Sequence, residues 1–87
     1  MVMVLSRRQE EEFDRCLQKF WEAELLESQV LRHLAVYLIQ NHECEVHGNE
    51  KQCEEKERTW NHVVELGWRL KNMRDECSRC IRDLLLR

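Results

Sequence analysis

Apolar residues in the second half of the chain recur at alternating spacings of three and four positions. Every member of the series is apolar: Val63, Leu66, Leu70, Met73, Cys77, Cys80 and Leu84. This spacing is typical of a helix that packs along another helix through one continuous stripe. Period-two alternation, which indicates a strand, is not sustained anywhere in the sequence. The pattern predicts a long helix with an apolar seam.

The first half of the chain follows the same spacing with one exception. Its series is Phe13, Cys16, Phe20, Ala23, Glu27, Val30, Leu34 and Tyr37, and the exception is the charged Glu27. Two long helices with matching seams predict an all-α fold, a long antiparallel helical hairpin with coiled-coil-like packing. We expect this hairpin to complete a helix bundle with another copy or with a partner.

Residues that cap helices set the expected boundaries. Ser6 and Gln9 have the spacing of a capping box, in which each side chain satisfies the other residue's backbone N–H. Gly48 suits the left-handed conformation that follows a helix end, and Asn49 is a good cap for a second helix. The prediction is a single domain over residues 1–87, with helices at about 6–47 and 50–86 and a turn near 48–49. The short apolar segment 1–5 is expected to be a tail that packs onto the fold.

A second feature of the first helix is the segment Val30–Ile39, in which eight of ten residues are apolar. A helix that is apolar on all sides must be covered on more than one side, whereas a hairpin covers only one. The sequence therefore predicts a protein partner or a homo-oligomer. Trp21 and Trp68 lie off the seams and are candidate anchors, since large aromatic side chains are enriched at interface hot spots. The predicted partner-binding residues are Trp21, Val30, Leu31, Leu34, Val36, Leu38, Ile39, Val63, Leu66, Trp68, Leu70, Met73 and Leu84.

Composition excludes several other classes of function. The chain has 87 residues, two glycines, no proline and a net charge of −3. The longest apolar run, Leu34–Ile39, is far shorter than the ~20 residues of a membrane span. The net charge does not favour nucleic-acid binding. Neither a phosphate-binding glycine loop nor a nucleophile motif is present, so we expect a non-enzymatic interaction or assembly subunit without a cofactor.

Five cysteines carry the strongest candidate chemistry. In a hairpin that turns near Gly48, facing residues have numbers that add to about 96 or 97, which pairs Cys16 with Cys80 and Cys44 with Cys53. Cys77 is left over. We expect reduced thiols that pack as small apolar groups in a cytoplasmic or nuclear protein.

The cysteine layout also resembles that of the small coiled-coil–helix–coiled-coil–helix proteins of the mitochondrial intermembrane space. The segment Phe13-Asp-Arg-Cys16-Leu-Gln-Lys-Phe20-Trp21 is similar to one of their cysteine-bearing helices. The resemblance implies two disulfides that join the helices and a location in that compartment. The family separates the paired cysteines of each helix by about nine residues, whereas 27 and 26 residues intervene here. The alternative function is therefore that of a disulfide-bonded helical-hairpin protein of the mitochondrial intermembrane space.

The turn region offers a second candidate chemistry. Near the turn, His42, Cys44, His47 and Cys53 offer nitrogen and sulfur ligands of the kind that bind zinc. They match no standard zinc signature, and a polar turn with histidines at a helix end is the favoured interpretation.

The segment Leu66–Cys77 is a third candidate. It resembles the helix by which pro-apoptotic proteins enter the groove of Bcl-family partners, with Leu66, Leu70, Met73 and Cys77 as the anchors and Asp75 as the acidic residue. The family has a small residue before that acid, whereas this chain has Arg74.

Overall fold

The computed structural model describes residues 5–86, which form a hairpin of two antiparallel helices. Helix α1 spans Arg7–His47 and helix α2 spans Glu50–Leu85. The hairpin measures 61 × 20 × 17 Å. The predicted all-α hairpin is confirmed. The expected packing of the N-terminal tail falls largely on residues 1–4, which lie outside the described residues, and the next residue, Leu5, is half-buried.

Local hydrogen bonds explain where the helices begin and end. The Ser6 hydroxyl accepts from the Gln9 backbone N–H at 3.2 Å, and the Gln9 side chain accepts from the Ser6 N–H at 2.9 Å. Gly48 ends α1 with a φ of 64°, a conformation that disfavours a residue with a Cβ. The Asn49 side chain then accepts from the Gln52 N–H at 3.3 Å. These contacts are the caps that the sequence predicts.

The core between the helices is thin. Its buried apolar residues are Cys16, Ala23, Val63, Leu66, Cys77 and Leu84. The α2 members belong to the predicted seam, and the remaining seam residues Leu70, Met73 and Cys80 are half-buried. The α1 seam is less well covered, because Phe20 keeps 44% of its surface exposed. Phe20, a member of the α1 series, therefore lies at the edge of the interface between the helices.

Hydropathy along the two helices bears on membrane insertion. Over residues 5–86, neither helix contains a stretch that is both long and apolar enough to cross a bilayer.

Candidate protein-binding surface

Two disulfides join the helices, one near each end of the hairpin. Cys16 is bonded to Cys80 with a Cα–Cα distance of 5.7 Å, and Cys44 is bonded to Cys53 with a Cα–Cα distance of 4.7 Å. Both distances lie within the range that a disulfide can span. The expectation of free thiols is wrong at these four positions, because the hairpin register places each pair of sulfurs in direct contact.

Cys77 is the remaining cysteine, and it is buried with a free thiol. Its Sγ donates to the backbone carbonyl of Cys16 at 3.8 Å. One helical turn separates Cys77 from Cys80 along α2, so the thiol lies beside the disulfide at the open end of the hairpin.

The disulfides also define which residues of the two helices lie at the same level. Paired cysteine numbers add to 96 and to 97. Ion pairs across the hairpin follow the same register. The Arg74 guanidinium contacts the Glu24 carboxylate at 3.5 Å and also pairs with Glu27. Nearer the turn, the Lys56 ammonium donates to the Asn41 side chain at 3.0 Å.

The two flanks of the hairpin differ in chemistry. One flank, which we call the apolar face, is formed by residues that helical spacing places beside the seam on the side of Glu24 and Arg74. Its members are Leu17, Phe20, Leu31 and Leu38 of α1 and Trp60, Val64, Ile81 and Leu85 of α2. All are exposed except Ile81, which is half-buried. Several of these residues, with the ion pair Glu24–Arg74, line an open groove of about 580 Å³.

The opposite flank, the polar face, carries ionisable and amide side chains. Its members are Glu12, Lys19, His33 and Gln40 of α1 and His62, Arg69, Glu76 and Asp83 of α2, and Leu26 is the one apolar residue among them. The His33 and His62 rings meet across the helices with centroids 4.6 Å apart. Glu12, Lys19 and Asp83 line a shallow depression beside the Cys16–Cys80 bond. The hairpin therefore presents one apolar and one polar flank.

A group of charged residues divides the apolar face into two parts. This charged belt consists of Glu24 and Glu27 from α1 and Lys71 and Arg74 from α2. Between the belt and the open end lies an outer patch of Leu17, Phe20, Ile81 and Leu85. Between the belt and the turn lies an inner patch of Leu31, Leu38, Trp60 and Val64.

The structure distributes the sequence-predicted partner-binding residues over three environments. Trp21, Leu31, Val36, Leu38, Ile39 and Trp68 are exposed. Val30, Leu34, Leu70 and Met73 are half-buried. Val63, Leu66 and Leu84 are buried between the helices. Of this set, Leu31 and Leu38 belong to the apolar face.

The two apolar seams in the sequence do not predict which α2 residues belong to the apolar face. Trp60, Val64, Gly67, Ile81 and Leu85 fall on a second series with spacings of three and four, adjacent to the seam. Lys71, Arg74 and Ser78 interrupt that series, which hides it from a search for continuous apolar stripes.

The histidines and cysteines near the turn, which have the chemistry of zinc ligands, do not form a site with free thiolates. Cys44 and Cys53 are bonded to each other, so neither sulfur is available as a thiolate. The His42 and His47 rings are 5.4 Å apart at their centroids. Among residues 5–86 no group of three or more His, Cys, Asp and Glu side chains is placed to hold a metal ion.

The anchors of the groove-binding helix face inward. Leu66 and Cys77 are buried against α1, and Leu70 and Met73 are half-buried. A Bcl-family groove would reach them only after the hairpin opened, which two disulfides oppose. The folded hairpin therefore does not expose the anchors that the third candidate function, binding to a Bcl-family groove, requires.

Comparison of the chain with protein-family models, curated proteins and solved structures gives no significant match.

Proposed function

We propose that this protein is a non-enzymatic assembly subunit, a rigid helical hairpin that binds a protein through its apolar face. The observation that carries the proposal is the excess of apolar surface outside the core. Fourteen large apolar side chains among residues 5–86 are exposed, seven of them on the apolar face, against six buried apolar residues. Isolated exposed apolar residues are common, but contiguous patches mark interaction sites.

The disulfides support a binding role because they limit how far the helices can separate. The Cys16–Cys80 bond holds the open end and the Cys44–Cys53 bond holds the turn. A surface composed of residues from two helices keeps its shape only when their register is maintained. Such preorganisation lowers the entropy lost on binding.

The same bonds favour an oxidising compartment over the cytoplasm or nucleus, since disulfides persist where thiols are not kept reduced. The intermembrane space of mitochondria is the second candidate context. It is supported by the antiparallel hairpin with two inter-helix disulfides, which is the arrangement that the sequence resemblance implied.

The proposal is tested by gel filtration of native extract, followed by detection of the full chain. An assembly subunit elutes well above the 10.7 kDa of one chain. The double variant Leu31→Glu with Val64→Glu, which places charge on the inner patch, is expected to elute later. The matched control, Leu25→Glu, changes an exposed leucine on the outer side of α1. Elution of the wild type as a monomer would contradict the proposal.

A further inference from the structure

The charged belt places opposite charges on opposite helices at one level of the apolar face. Glu24 and Glu27 come from α1, and the Arg74 guanidinium of α2 pairs with both. Lys71 precedes Arg74 by three residues on α2 and is exposed. The acids therefore lie along one edge of the face and the bases along the other.

The apolar patches on either side of the belt are similarly divided between the helices. In the register set by the disulfides, Leu31 lies within about half a turn of the level of Val64, and Leu38 lies close to the level of Trp60. In the outer patch, Leu17 is close to the level of Ile81. From the turn to the open end, each helix thus presents apolar residues of the inner patch, then residues of the charged belt, then apolar residues of the outer patch. The belt residues are acidic on α1 and basic on α2.

We infer that the occupant of the apolar face is a second copy of this chain, packed face to face with both turns at the same end. This inference deepens the proposed function and rests on it. A two-fold axis parallel to the helices lays α1 of one copy on α2 of the other. Outer patches then meet, inner patches meet, and each pair of belt acids lies over the partner copy's bases.

Charge complementarity selects this orientation over the alternative two-fold arrangement. With the turns at opposite ends, α1 would lie on the other copy's α1 and the acidic edges of the two belts would meet. Like charges in an interface are costly and suppress incorrect pairings. The axis parallel to the helices instead joins acid to base at every belt position.

The size of the face suits a stable dimer. The hairpin is 61 Å long and 20 Å wide, so one flank has a projected area of about 1,200 Å² per copy, and standard protein interfaces bury roughly 800 Å² per partner. The resulting four-helix bundle covers Leu31, Leu38 and Val64, which the hairpin leaves exposed. It leaves the polar face in solvent.

Light scattering of the purified, oxidised full chain tests whether a second copy of the chain covers the apolar face. We expect twice the mass of one 10.7 kDa chain at micromolar concentration. The Leu31→Glu, Val64→Glu double variant should raise the dimer dissociation constant at least about tenfold, because it buries unpaired charges. Leu25→Glu, on the outer side of α1, should leave it unchanged. A wild-type monomer would overturn the inference.

Cross-linking tests the orientation. Leu38→Cys and Trp60→Cys are made as separate variants in a Cys77→Ser background, mixed and mildly oxidised. Turns at the same end predict a covalent heterodimer from this mixture. A mixture of the Leu38→Cys and Leu85→Cys variants should yield none, because these positions lie on opposite sides of the belt. Preferential 38–85 cross-linking would overturn the proposed orientation.

Failure of the dimer is distinguishable from failure of the proposed function. A purified monomer whose chain still elutes in a large native complex retains the assembly role and points to a different protein on the face. A monomer in both experiments contradicts both proposals.

Discussion

The thiol of Cys77 donates to the backbone carbonyl of Cys16, the residue whose own sulfur is bonded to Cys80. Three cysteines from two helices therefore meet at the open end of the hairpin, and one of them, Cys77, is not part of a disulfide. Burial shields that thiol from reagents in the folded protein.

The thiol content of the oxidised protein follows from this arrangement. Alkylation after unfolding without reductant should label one cysteine, Cys77, and alkylation after reduction should label five. Mass analysis of proteolytic fragments checks both values. The Cys77→Ser variant serves as the control and should take up no label before reduction. Five labels without reductant would contradict the two disulfides.

The two disulfides should differ in their contribution to stability. Cys16–Cys80 joins residues 64 positions apart, whereas Cys44–Cys53 joins residues 9 apart. In the chain-entropy model the longer loop is worth roughly 4 kcal/mol and the shorter one roughly 3 kcal/mol.

Urea unfolding of paired alanine variants measures that difference. Replacement of Cys16 and Cys80 should lower the free energy of unfolding more than replacement of Cys44 and Cys53. Equal losses, or a larger loss at the turn, would show that loop length does not determine the ranking.

Leu66 should be among the most sensitive core positions, since only 5% of its surface is exposed. Leu66→Ala should lower the free energy of unfolding by about 2–5 kcal/mol, because it removes buried methyl groups and leaves a cavity. Leu25, which is 69% exposed, provides the matched control. Leu25→Ala should change stability by no more than about 0.5 kcal/mol. Thermal unfolding of the two variants measures both effects. Similar losses of stability in Leu66→Ala and Leu25→Ala would contradict the assignment of Leu66 to the core.

The two glycines should respond to alanine in opposite directions. Gly48 has a φ of 64°, so Gly48→Ala should cost about 1–2 kcal/mol through contact between the Cβ and the backbone. At Gly67 an added Cβ meets no atom within 4 Å. Gly67→Ala should therefore stabilise α2 by up to about 1 kcal/mol. Circular dichroism melts of the two variants compare them directly, and a stabilising Gly48→Ala would contradict the left-handed helix end.

Much of the hairpin was determined by local sequence. The Ser6–Gln9 capping box and the Gly48–Asn49 turn act through hydrogen bonds between residues close in sequence, so their positions are visible without a structure. The α2 seam is equally local in its signal, because a helix brings residues three and four apart onto one side. These features predicted both helices and their antiparallel arrangement. They also placed Cys16 opposite Cys80 and Cys44 opposite Cys53.

Only the tertiary structure decided which cysteines are bonded and which residues share a flank. Both features depend on how each helix is rotated about its own axis relative to the other helix. Facing cysteines show that a bond is geometrically possible, but their bonded state depends on sulfur placement across the hairpin. Phe20 fits the α1 spacing yet lies at the edge of the interface. The apolar face combines Leu31 and Leu38 with Trp60 and Val64, residues of separate helices with no shared periodicity. Helical rotation places them on one flank, and His33 and His62 on the other.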